Sequence, residues 1–355
     1  MIKVENSPIP NQNGFDKSFR QSLEAISTEK SAFNREETGA ISDDNWIKDI
    51  GKNERQVLPS GAILLTGKAA EKKALEIAKQ AWIPPDELKQ KSDDLGGKLI
   101  GLRKYETVSL KELLEHDPKE NNILGRQNKT YVLGVYNDII ITTKSSYIDQ
   151  SEISPEVRQK LLADVVKSLE KGALLKSKAG ETPGKNLLDK MNGKYYPLVI
   201  NASNEMSASR ALSAERGEGR DNIGKTFDRN FDVVNFFPKY AIVNNLGQIV
   251  PPWSALFHEF FHVQEYNQSR EKYLQDNKGK TISYPKGNWV AGDNYVLETY
   301  TLDKEKAVPD HEHRADEFQR ILCDLANVPA RKNYLDVKET ILVDDPINPT
   351  PVKTK

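Results

Sequence analysis

The sequence is short of cysteine, methionine and histidine, and it lacks long apolar runs and any excess of charge. Its single cysteine, Cys323, excludes an intramolecular disulfide, so packing must hold the fold, and a reducing compartment suits such a chain. That thiol lies in the apolar helical stretch "QRILCDLANV" with no base beside it, and reads as a core residue. Nothing approaches the apolar length of a membrane span, so no transmembrane helix is expected. The opening "MIKVENSPIPNQNGFDKSFRQ" has no uninterrupted apolar stretch of the kind a secretory signal needs, and classical export is not expected. The formal net charge is −1 and the lysines are interspersed with acids, which removes the general electrostatic reason to bind nucleic acid.

What is present is a chain of 355 residues, 37% hydrophobic, enough for a substantial core. Residues 1–50 are polar and follow neither helical nor strand period, so a disordered leader is expected. "GKAAEKKALEIAKQAW" has helical spacing, and "TYVLGVYNDIIITT" reads as a hairpin turning at Asn137-Asp138. "SPEVRQKLLADVVKSLEKG" predicts a helix capped by Ser154, with Pro155 in its first turn and Gly172 past its end. "YYPLVIN" and "FDVVNFFPKYAIVNN" predict further strands, and the Gly-, Lys- and Pro-bearing segment 172–192 suggests a boundary. "GAILLTGK" is no phosphate loop: the Gly61–Gly67 spacing is one residue too long, and Ala69 replaces the Mg²⁺-binding hydroxyl.

The chemistry concentrates in "ALFHEFFHVQEYN". Pro251-Pro252 ends the preceding segment, Ser254 can cap, and no Gly or Pro interrupts the residues that follow. In a helix His258 and His262, four apart, stand on one face and can reach one ion. Glu259 is turned by about 100° from His258, which places it beside an ion, able to take a proton from water. The alternative is a core helix whose imidazoles bond backbone carbonyls. Two imidazoles hold zinc poorly, so a third ligand decides between these readings.

The Gly and His of the histidine-terminated metalloprotease pattern are absent, because Glu265 and Gln268 occupy their places. A carboxylate is left, and two stretches offer one: Glu298 in "NYVLETYTLDKE", and Glu312 in "DHEHRADEF". Glu312 and Asp316 lie one helical turn apart, so one can bind an ion while the other orients a ligand histidine. Pattern alone does not separate Glu298 from Glu312. Peptide hydrolysis also needs a hydrogen-bond donor for the developing oxyanion, and Arg331 and Tyr334 of "ARKNYLD" can supply one.

The helix motif, Glu298-Thr299-Tyr300-Thr301 and Arg331-x-x-Tyr334 together resemble the clostridial neurotoxin light chains and the bacterial type III effector metallopeptidases typified by NleD. The resemblance covers about residues 195–340. It implies zinc held by His258, His262 and Glu298, with Glu259 as base, Arg331 and Tyr334 at the oxyanion, and an acid such as Glu317 or Glu312 supporting the ligands. Asp303 stands where these families often carry Gly.

The expected architecture is α+β: a leader (1–50, a candidate secretion signal), an α/β region (51–190), a zincin-like metallopeptidase domain with a mixed sheet (191–343) and a flexible tail (344–355). The expected function is zinc-dependent endopeptidase, an effector or toxin sent by a specialised secretion system into a host cell to cut an intracellular protein. A resident cytoplasmic metallopeptidase and a zinc-stabilised binding protein without turnover are the alternatives.

Overall fold

The computed structural model describes residues 45–79, 130–144, 153–191, 197–204, 210–212, 232–276 and 310–352. Residues 1–44 of the expected leader, and Glu298, lie outside the described residues.

Helices and a mixed sheet make an α+β architecture. Strands β1 (Arg55–Val57), β2 (Ile63–Leu65), β3 (Thr130–Tyr136), β4 (Ile139–Lys144), β5 (Leu198–Ala202), β6 (Arg210–Leu212) and β7 (Asp232–Phe236) form a seven-stranded sheet in the order β1-β2-β3-β4-β5-β7-β6. Pairing is antiparallel from β1 to β4, parallel across β4, β5 and β7, and antiparallel again at β6. The β3–β4 hairpin turns at Asn137-Asp138, where Asn137 takes φ 51°, a conformation that asparagine tolerates better than most residues.

Strand alternation assigns the two faces of this sheet. Val135, Ile140, Val199 and Val233 point to one side and pack on Ala70, Ala74 and Ile77 of α2 (Gly67–Lys79), which follows the short α1 (Asn45–Lys48). Their neighbours Tyr136, Ile139, Ile141, Leu198, Ile200 and Val234 point to the other side. There they meet α3 (Pro155–Leu174), α4 (Pro183–Lys190) and α5 (Pro252–Asp276) in one continuous core. Residues 51–190 and 191–343 thus contribute strands to one sheet and side chains to one core, with no break at the expected boundary.

Ser154 caps α3 as predicted, its hydroxyl accepting from Val157 N at 3.3 Å. Gly172 lies inside α3 instead of past its end. A Cβ there would stand 2.2 Å from the Phe257 ring, and one on Gly184 would stand 2.2 Å from the Gly172 carbonyl oxygen. Both glycines serve close helix packing, which draws α3, α4 and α5 together.

A second sheet orders β10 (Glu339–Leu342), β8 (Tyr240–Val243) and β9 (Ile249–Val250). Because β8 is its middle strand, both edges of Tyr240–Val243 are paired, with β10 and with β9. In place of the flexible tail expected at 344–355, residues 344–352 fold back on the core. Asp345 pairs with Lys167 at 3.0 Å, Ile347 packs on the core, and the Pro346 carbonyl accepts from Trp253 N at 3.3 Å. No helix among the described residues is long and apolar enough to cross a membrane.

Candidate metal centre

Helix α5 carries the two histidines into the protein's interior. Trp253, Leu256, Phe257, Phe260, Phe261 and Val263 are all buried, so the helix is apolar around most of its early turns. Ser254 is not the N-cap: helix α5 begins at Pro252, and the Ser254 hydroxyl donates to the Pro251 carbonyl at 2.8 Å from within the first turn. Helix α6 (Asp310–Ala326) packs beside α5 through Ala315, Phe318 and Leu322, with the Phe318 and Phe261 rings 5.4 Å apart.

This packing sets Glu312, in the first turn of α6, over the histidines of α5. Glu312 Oε2 lies 3.1 Å from His258 Nε2 and 3.4 Å from His262 Nε2, and the two Nε2 atoms are 3.2 Å apart. Among the described residues these three form a group able to hold a metal ion. The donor set fits a divalent cation in size and chemistry. Ligand atoms about 2.0–2.1 Å from an ion in tetrahedral array stand roughly 3.3 Å from one another, matching these three separations.

Each histidine also has a buried carboxylate at its other nitrogen. Asp316 Oδ1, one turn along α6 from Glu312, is 3.4 Å from His258 Nδ1. Glu265 Oε2 is 3.8 Å from His262 Nδ1, an ion-pair separation too long for a hydrogen bond, while Arg314 Nε bonds Glu265 Oε1 at 2.6 Å. In the sequence, Glu265 stands out only because it occupies the place where another motif needs Gly. Its position three residues after His262 is the signal that could have found it, since that spacing puts it on the His262 face of the helix.

The electrostatics separate the two imidazoles. Burial, reinforced by the charge of Arg331, pushes His258 down to about 3. Burial opposes a charge on His262 too, but the carboxylates of Glu265, Glu312 and Glu259 outweigh it and raise His262 to about 10. One proton, held on His262, thus occupies a position that a cation can take in its place. Burial raises Asp316 as well, against the lowering charge of Arg331.

Several predicted residues sit elsewhere than expected. Arg331 is buried and faces Nδ1 of His258 at 3.2 Å, the nitrogen turned away from the His–His–Glu cluster, and it donates to Asp316 and Gln319. The Tyr334 ring lies 5.7 Å from the Arg331 guanidinium carbon and is 48% exposed. Glu317 does not support the ligands: it is exposed on the outer side of α6, within ion-pair reach of Arg320 at 3.9 Å. Glu259 is half-buried on α5 beside His258. Cys323 is fully buried, which pushes its thiol up to about 12.

No protein-family model matches this chain, and no curated protein matches it. The likeness to neurotoxin light chains and NleD-type peptidases therefore rests on the motif residues themselves.

Proposed function

We propose that this protein is a zinc-dependent endopeptidase with a zincin-like arrangement, its ion held by His258, His262 and Glu312. The observation that carries the reading is the convergence of three ligand atoms, two from an HExxH helix and one from a neighbouring helix, with separations of 3.1, 3.2 and 3.4 Å. Zinc held by these residues would polarise a carbonyl and bring the pKa of a water toward neutrality. Glu259, turned by about 100° from His258 along the helix, takes the proton of the attacking water and hands it to the departing amine. Tyr334, exposed beside the buried Arg331, is the donor able to swing toward a developing oxyanion.

The effector families that share the motif suggest the biological setting: delivery through a specialised secretion system, residues 1–50 serving as the signal, and an intracellular host protein as substrate. Activity is tested with Glu259→Gln, assayed for zinc content and for cleavage of native and denatured proteomes. Retained zinc with cleavage reduced by three or more orders of magnitude is expected. A fully active variant would remove Glu259 from the mechanism. Zinc binding with no cleavage by the wild type would favour a zinc-stabilised binding protein.

A further inference from the structure

Seven large apolar side chains stand exposed among the described residues, and four of them come from two stretches of chain: Leu246 in the β8–β9 turn, and Tyr334, Leu335 and Val337 just before β10. Leu246 is 81% exposed and Leu335 63%, in turns where small or polar residues are usual. A lone exposed leucine is ordinary, whereas a concentration of apolar side chains marks a contact surface.

Hydrogen bonds hold the two stretches together. Asn244 Oδ1 accepts from Leu246 N at 3.1 Å and from Gln248 N at 2.9 Å, closing the β8–β9 turn, while its Nδ2 donates to the Ala330 carbonyl at 3.2 Å. Asp336, buried between exposed neighbours, makes the second tie: its two oxygens accept from Asn245 N at 2.9 Å and from Lys332 N at 2.7 Å. Lys338 N makes the third, donating to the Val243 carbonyl at 2.8 Å. Leu246 and Leu335 are thus each next in sequence to a residue of one such bond, Asn245 and Asp336. Backbone tied in this way loses little freedom when a ligand covers it.

The same loop reaches the candidate metal centre. The Tyr334 ring lies 5.7 Å from the Arg331 guanidinium carbon, and Arg331 Nη2 lies 3.2 Å from His258 Nδ1. This continuity selects the occupant. An extended chain advances about 3.3–3.6 Å per residue, so one polypeptide can engage the cluster and, a few residues away, the leucines.

We propose that Leu246, Leu335 and Val337 form a docking surface for the substrate, taking an apolar side chain of a polypeptide a few residues from the bond to be cut. This rests on the reading of the protein as a peptidase. The apolar contact supplies specificity that strand pairing at β8 does not, since both edges of that strand are occupied.

The test compares full-length wild type with the double variant Leu246→Ser, Leu335→Ser, and with Val157→Ser, an exposed apolar position on α3, as control. Each is loaded with zinc and given a library of unstructured peptides from a digested proteome, and cut sites are read by mass spectrometry. Wild type should show apolar residues enriched at a fixed offset from the cut bond. In the double variant that enrichment should vanish and kcat/KM on the best peptide should fall about tenfold or more, chiefly through KM, with zinc content and thermal midpoint as in wild type. Val157→Ser should match wild type. Cleavage by wild type without an apolar preference, or a preference that survives in the double variant, would overturn the proposal and leave the peptidase standing. A wild type that sediments as a dimer, with the double variant a monomer, would give the surface to a second copy and overturn it too. Absence of any cleavage by zinc-loaded wild type would remove the peptidase reading, and this surface's role with it.

Discussion

Glu312 Oε2 stands 3.1 Å from His258 Nε2, joining the first turn of α6 to the second turn of α5 through atoms that share no element of sequence. If Glu312 ligates the proposed ion, it should matter more to binding than any residue behind it. Glu312→Ala should lower zinc affinity by more than the roughly 10–100-fold that loss of an outer partner costs. Metal content by mass spectrometry, with Glu298→Ala measured in parallel, checks this. Zinc retained in Glu312→Ala and lost in Glu298→Ala would move the third ligand to Glu298.

The proton on His262 gives the metal-free protein a distinctive pH response. An unfolded histidine titrates near 6.5, whereas His262 in the fold is raised to about 10. A raised pKa adds stability that is complete below the unfolded value and is lost as pH climbs through the folded one. His258, held down near 3, stays neutral through that window, and its cost appears only below about 6.5. In chelator the thermal midpoint should therefore fall between about pH 7 and 9.5 by more than it does for His262→Ala. Zinc affinity should rise over the same interval, since the ion must displace that proton. A midpoint equally pH-dependent in both proteins would contradict the assignment.

The contact of Phe257 with Gly172 fixes the sign of a third substitution. Gly to Ala within a helix ordinarily gains about 0.5–1 kcal/mol. At position 172 the added carbon would stand 2.2 Å from the buried ring, so Gly172→Ala should cost roughly 1–3 kcal/mol instead. Urea unfolding measures it, and any gain in stability would show that α3 and α5 are not in close contact. The zinc affinity of the variant should fall as well, because Phe257 adjoins His258 on the same helix.

The legible parts of the fold were those decided by neighbours in sequence. Asn137-Asp138 made a hairpin and Ser154-Pro155 a helix start because turn and cap chemistry is complete within a few residues. Gly172 was misread because glycine marks a helix end and a tight helix crossing alike, and only the position of Phe257 tells them apart. At the site, four-residue spacing placed His258 with His262, and Glu312 with Asp316, since helix geometry alone does that. Which carboxylate meets the histidines depends on how α6 lies against α5, and a linear pattern does not contain that. Arg331 shows the same gap: its motif suggested a donor at the oxyanion, while packing turned it to the far nitrogen of His258.

The strap formed by residues 344–352 shows in what order the surroundings of α5 are completed during synthesis. The opening turn of α5 receives an acceptor from Pro346, and the groups around its histidines come from Glu312, Asp316 and Arg331. On the ribosome His258 and His262 emerge first and every one of those partners later. A nascent chain therefore carries the two histidines without these partners until α6 and Arg331 have followed, and the opening turn of α5 gains its Pro346 contact last of all.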